Sequence, residues 1–113
     1  MLRAALFTIP VRAVSVANVR EHWSKRAKRA KLHRETAAFF CPRVSLPCIV
    51  TLMRVAPRPL DDDNNVSALK ACRDGIADRL GVKDNDPSVT WRYKQCKGEP
   101  RVYEVFVTIE PRP

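Results

Sequence analysis

Three consecutive carboxylates, Asp61-Asp62-Asp63, stand in a chain with only 12 acidic residues against 21 basic ones. Two more, Asp84 and Asp86, follow in a later loop. Like charges held a few ångströms apart repel, which raises carboxylate pKa values and destabilises a fold unless a cation joins them. Hard oxygen ligands grouped in this way suit magnesium or manganese. In an extended segment Asp61 and Asp63 point to one side and Asp62 to the other. A helix and a returning loop then bring Asp86 back toward the strand end, giving a carboxylate cage open to a phosphate. Asp and Asn runs are equally the chemistry of helix caps and turns. The two roles are compatible, since Asn64 or Asn65 can cap while the aspartates hold metal.

Lys70 lies one to two turns into the following helix, near Ser67 and Asp74 at helical spacing. It is either one half of a surface ion pair with Asp74 or, beside a phosphate, a cation that stabilises developing negative charge. Upstream, Arg20, Lys25, Arg26, Lys28, Arg29, Lys31 and Arg34 crowd a stretch that holds two acids, Glu21 and Glu35. Lys25, Lys28 and Arg29 share a helix face, which suits a track for a phosphate backbone. His22 and His33 have no partner pattern and are read as neither ligand nor base. Trp91 and Tyr93 alternate along a strand, where they stack on bases or pack in the core.

The elements that must position these groups follow from periodicity. Leu6-Phe7-Thr8-Ile9 reads as a short strand stopped by Pro10. Arg20 to Phe40 lacks proline and glycine and reads as a helix, ended by Cys41-Pro42, with Trp23, Ala27, Ala30 and Ala37 on its apolar face. Cys48 to Val55 is a near-continuous apolar run, the pattern of a strand covered on both faces. A second helix runs from about Val66 to Leu80, with Val66, Leu69, Cys72, Ile76 and Leu80 as its stripe and Gly81 as its cap. Val89, Trp91 and Tyr93, then Tyr103, Val105, Val107 and Ile109, alternate as strands around the turn Lys97-Gly98-Glu99-Pro100. The expected fold is therefore a single α+β domain over 1–113, ordered strand-helix-strand-helix-strand-strand, with a mixed sheet and a closing antiparallel hairpin. Arg34 and Arg73 each fall on an otherwise apolar helix face, a placement that suits a subunit interface.

A length of 113 residues fits one modest core. The net charge of +9 points to a polyanion, most commonly nucleic acid. No apolar run has the length needed to cross a bilayer, so no membrane role is expected. Cys41, Cys48, Cys72 and Cys96 form no CxxC pair, which leaves a zinc site without support. They are expected to be free thiols in a cytoplasmic protein.

The segment Leu60-Asp61-Asp62-Asp63-Asn64, then Ala68-Leu69-Lys70, then Arg73-Asp74-Gly75-Ile76-Ala77-Asp78 and Leu80-Gly81, resembles the core of the RusA-like endodeoxyribonucleases. These enzymes resolve Holliday junctions and are often carried by phages and prophages. Asp84-Asn85-Asp86-Pro87-Ser88-Val89 sits where that family has its third essential aspartate, and Phe7-Thr8-Ile9-Pro10 with Asn18 is similar to its first strand and following loop. The resemblance is most specific from about 58 to 95. It implies a homodimer that binds a four-way DNA junction in a bacterial or phage-infected cell. Each subunit would cut one strand with a divalent metal, Mg2+ or Mn2+, on Asp61, Asp63 and Asp86, with Asp84 as the neighbouring alternative. Lys70 takes the place of the family's functional lysine. Asn18, Arg20, Lys25, Lys28 and Arg29 are the expected DNA contacts. The rival reading is a non-catalytic basic DNA-binding protein of phage origin whose acidic cluster is only a cap.

Overall fold

The computed structural model describes residues 1–15 and 22–113. Asn18 and Arg20 lie outside the described residues. The elements are β1 (Ala5–Ile9), α1 (Trp23–Phe40), β2 (Cys48–Ala56), α2 (Asp62–Leu80), β3 (Val89–Lys97) and β4 (Glu104–Pro111). Their order and types are those the periodicity predicts.

The four strands form one mixed sheet in the order β1-β4-β2-β3. β2 and β3 are parallel, from Cys48 opposite Val89 to Ala56 opposite Lys97. β4 runs antiparallel to both β1 and β2. The expected closing hairpin is thus corrected, because β3 and β4 are not neighbours. The β2-α2-β3 crossover lays β3 against one side of β2, at the edge of the sheet, and β4 pairs with the other side of β2, between β2 and β1. Alternation identifies the last strand but carries no information about its neighbour.

Both crossovers advance the same way across the sheet, so both helices cover one face. Along β2 the burial alternates: Cys48, Val50, Leu52, Arg54 and Ala56 are buried, and the residues between them are half-buried. The expectation of a strand covered on both faces is corrected accordingly. The open face carries Ile49, Met53, Val55 and Phe106, with Arg92 and Lys94 on β3.

The core lies between helices and sheet. Leu69, Cys72 and Ile76 of α2 are fully enclosed against Val50, Leu52, Val105 and Val107. Burying a side chain such as Leu69 or Ile76 contributes about 1.5–3 kcal/mol. Val66, expected in the α2 stripe, is 39% exposed, and its place is taken by Ala68 and Gly75. Gly75 is needed for close approach: a Cβ there would overlap the Arg34 carbonyl oxygen and come within 2.9 Å of the Ala37 Cβ. The two helices therefore touch backbone to backbone at this point. The Arg34 guanidinium seals the crossing with a bidentate pair to Asp78, at 2.7 and 2.8 Å. That pair raises the Arg34 pKa and lowers that of Asp78, chiefly through the hydrogen bonds. The expected α1 face is also corrected. Trp23 is 72% exposed, Ala27 and Ala30 are exposed, and the buried residues are His33 and Ala37. Contact with α2 at Gly75 sets that rotation, because α1 has few bulky apolar residues to set it alone.

Candidate metal and nucleic-acid site

The acidic turn is held by β3. The Gln95 side chain accepts from the Leu60 N–H at 2.9 Å and donates to the Leu60 carbonyl at 2.6 Å. Buried Asn65 donates from Nδ2 to the Lys94 carbonyl at 3.1 Å. Arg54, itself 6% exposed, donates to the Ala13 and Arg58 carbonyls, each at 2.9 Å, and so fixes the approach to the turn. Burial lowers the Arg54 pKa from its ordinary value. Gln95 and Arg54 carry no motif signal, and sequence reasoning passed them over.

α2 begins at Asp62, four residues before the expected Val66. Its first backbone bond runs from the Asn65 N–H to the Asp61 carbonyl at 2.8 Å. Asp62 and Asp63 therefore occupy the first turn, where carboxylates favour the helix dipole. The segment is not extended, so the expected alternation of Asp61 and Asp63 across a strand is corrected. Asn64 and Asn65 lie inside the helix rather than at its cap. Asp61 holds the N-cap position, yet its side chain makes no capping hydrogen bond. Among the described residues the carboxylates of Asp61, Asp62 and Asp63 are exposed and form no hydrogen bond or ion pair.

Asp86 lies elsewhere. β2 and β3 are parallel, so the chain leaves β2 at one end of the pair and enters β3 at the other. Leu60 docks on Gln95, whereas Asp86 closes the turn before Val89. Six residues of strand span about 20 Å. The structure thus brings Asp61 and Asp63 toward one end of the strand pair and Asp86 toward the other, and among the described residues the three do not form one group poised for an ion. Asp86 Oδ1 accepts from the Ser88 hydroxyl and backbone N–H at 2.7 and 2.8 Å, which lowers its pKa. Its local task is the entry to β3.

Lys70 sits between these ends. It pairs with Asp74 at 3.3 Å and approaches Asp84 at 4.0 Å. Seven helical residues separate it from Asp63, a rise of about 10 Å. Arg73 closes the same region. It donates to the Tyr93 hydroxyl and the Asp84 carbonyl, both at 2.6 Å, and its guanidinium lies over the Trp91 ring. Arg34 and Arg73 therefore have intramolecular partners, and their placement is explained without a subunit interface. Trp91 and Tyr93 both pack against the core.

No group of three or more His, Cys, Asp or Glu side chains poised for a metal is found among the described residues. Asp61 and Asp63 still fit a hard ion in one respect. Magnesium keeps several waters and takes one or two protein carboxylates plus substrate phosphates, so a full protein cage is not required.

Lys25 and Lys28 are exposed on α1, Arg26 beside them as well, and Arg29 is half-buried. The four cysteines are free, three of them buried. No described helix is long and apolar enough to cross a membrane.

No family model matches the chain. It is similar to an uncharacterized protein of Xylella fastidiosa (strain Temecula1), 37% identical over 81 residues that cover 59% of this chain and 51% of the relative. The chain thus spans about half the length of the curated relative it matches.

Proposed function

We propose that this protein is a divalent-metal-dependent DNA endonuclease of the RusA-like type, acting on four-way junctions in recombination and repair. The observation that carries this reading is the pair Asp61 and Asp63. Their carboxylates are exposed and unpartnered among the described residues, and they are anchored by Gln95 on a chain of net charge +9. In a protein so rich in cations, carboxylates left without counter-ions are suited to an ion that arrives with its substrate. Asp61 and Asp63 would hold Mg2+, or Mn2+ in its place. The bound ion supplies positive charge to polarise a phosphate and promote attack by water. The chain's own share is to fix the two carboxylates and to hold the DNA arms with Lys25, Lys28 and Arg29. A homodimer supplies the two symmetry-related cuts that a junction requires. The protein acts in the cytoplasm, where free thiols are stable.

A second reading is favoured by a specific observation: Lys70 pairs with Asp74 and approaches Asp84, and Asp86 accepts hydrogen bonds from Ser88 within its own turn. It is a junction-binding protein without cleavage. A labelled four-way junction incubated with and without magnesium separates the two. The nuclease reading expects paired nicks with magnesium alone. Asp63→Asn is expected to abolish cleavage while keeping or strengthening binding, because it removes a charge that repels phosphate. Cleavage by this variant at the wild-type rate would overturn the assignment of the site.

A further inference from the structure

A cleft of about 300 Å³ opens between α1 and α2, on the N-terminal side of their contact at Gly75. Its shape follows from small side chains. Ala30 on one helix faces Ala68 and Ala71 on the other, with Val14 beside them, so the helices do not fill the space they enclose. His33 and Ala68 are buried at its base. Exposed Arg26 and Lys70 stand at its rim from opposite walls, and Ser67 and Asp74 add a hydroxyl and a carboxylate. This combination of apolar walls and a few convergent polar groups is the signature of a small-molecule site of modest size.

The lining restricts the ligand. An anion alone would leave the alanine and valine walls in water. A purely apolar ligand would make no use of the Arg26 guanidinium or of the Lys70 ammonium, which pairs with Asp74 and approaches Asp84 but stays exposed at the rim. A flat heteroaromatic ring with a phosphate attached satisfies both: the ring enters between the alanines, and the phosphate meets Arg26 and Lys70. We infer that the α1–α2 cleft binds a nucleotide, base inward and phosphate at the Arg26–Lys70 rim. The base is held by burial and by hydrogen bonds to the Ser67 hydroxyl and the Asp74 carboxylate. Such a nucleotide comes either free or from a DNA strand, and in a strand its base must first leave the stack. The site is separate from Asp61 and Asp63 and is independent of whether the protein cuts DNA.

The test uses 2-aminopurine, whose fluorescence anisotropy reports binding. One arm titrates the protein into 2-aminopurine deoxyribonucleoside monophosphate, the other into a short single strand carrying the same base. Saturable binding in the first arm that unlabelled nucleotide displaces supports the cleft, as does a change in 2-aminopurine brightness on binding in the second. The tighter arm identifies the source. Ala71→Phe fills the cleft from α2 and Ala30→Phe from α1, without changing charge. Each is expected to weaken mononucleotide binding at least tenfold, and Arg26→Ala severalfold. A thermal melt of each variant reports folding, and two variants from opposite walls keep the test open where one does not fold. No saturable signal in either arm overturns the proposal. So does wild-type mononucleotide affinity in a folded Ala71→Phe or Ala30→Phe protein.

Discussion

His33 shows how one side chain changes meaning when its surroundings are known. Alone in the sequence it has no partner, but in the fold it is 6% exposed at the α1–α2 cleft. Burial, and then the positive charge of Arg29, lower its pKa from the ordinary 6.5. The sign of the consequence is fixed. Below pH 6.5 the unfolded chain takes up a proton that native His33 refuses, so the unfolded state gains. Stability is complete above the ordinary pKa and is lost as pH falls below it. Urea unfolding followed between about pH 5 and 7 is expected to show this decline, and His33→Gln to flatten it. A decline of equal slope in the variant would assign it to other groups. Gln95 makes a similar point without titrating. It holds both backbone groups of Leu60 and so places Asp61, although nothing in a lone glutamine on a strand announces that role.

Among the elements, α2 does the most work. Its apolar side builds the core, its first turn displays the aspartates, and its last turn ends at Gly81 in the left-handed conformation, φ 74° and ψ 31°. That cap was legible, since only glycine adopts this conformation freely. The early start of the helix was not legible in the same way. An Asp-Asp-Asp-Asn-Asn run reads as cap or turn by propensity, and it was anchorage to β3 through Gln95 and Asn65 that let the helix begin at Asp62. Where α2 meets α1, Gly75 admits no side chain. Gly75→Ala gains helix propensity of about 1 kcal/mol. It also forces backbone against backbone, and overpacking of this kind costs about 1–3 kcal/mol or more. The overlap falls on the carbonyl of Arg34, which cannot rotate away, so the net expectation is a lower midpoint in urea or heat. A midpoint at or above wild type would show that the helices separate at little cost.

At the scale of the whole molecule, charge and symmetry decide what can be tested first. With a net charge of +9, affinity for DNA should fall steeply with salt. Changing Lys25, Lys28 and Arg29 together to alanine is expected to reduce the slope of log affinity against log salt by about 0.9 for each phosphate that the variant no longer neutralises. An unchanged slope would remove α1 from the DNA interface. Light scattering at micromolar concentration tests the homodimer of the proposed nuclease directly. The expected mass is twice 12.9 kDa. A monomer that persists with junction DNA bound would remove the paired-incision mechanism and leave single nicks. Arg34 and Arg73 no longer argue for that dimer, because each guanidinium has hydrogen-bond partners within its own chain.

The sequence by itself determined the element order, the α+β class, the Gly81 cap, the enclosed Leu69-Cys72-Ile76 stripe and the exposure of Lys25 and Lys28. These follow from local propensity and from periods of 2 and 3.6 residues, which a reader of one chain can count. Tertiary structure alone decided which strands are neighbours, because β4 can be antiparallel beside β3 or beside β2 with the same alternation. It alone decided that Asp61 and Asp86 stand at opposite ends of the sheet, since a parallel crossover returns the chain to where β2 began. Asp61, Asp63 and Asp86 were close enough in sequence to suggest one site. The topology of β2-α2-β3 separates them, and no spacing along the chain carries that information.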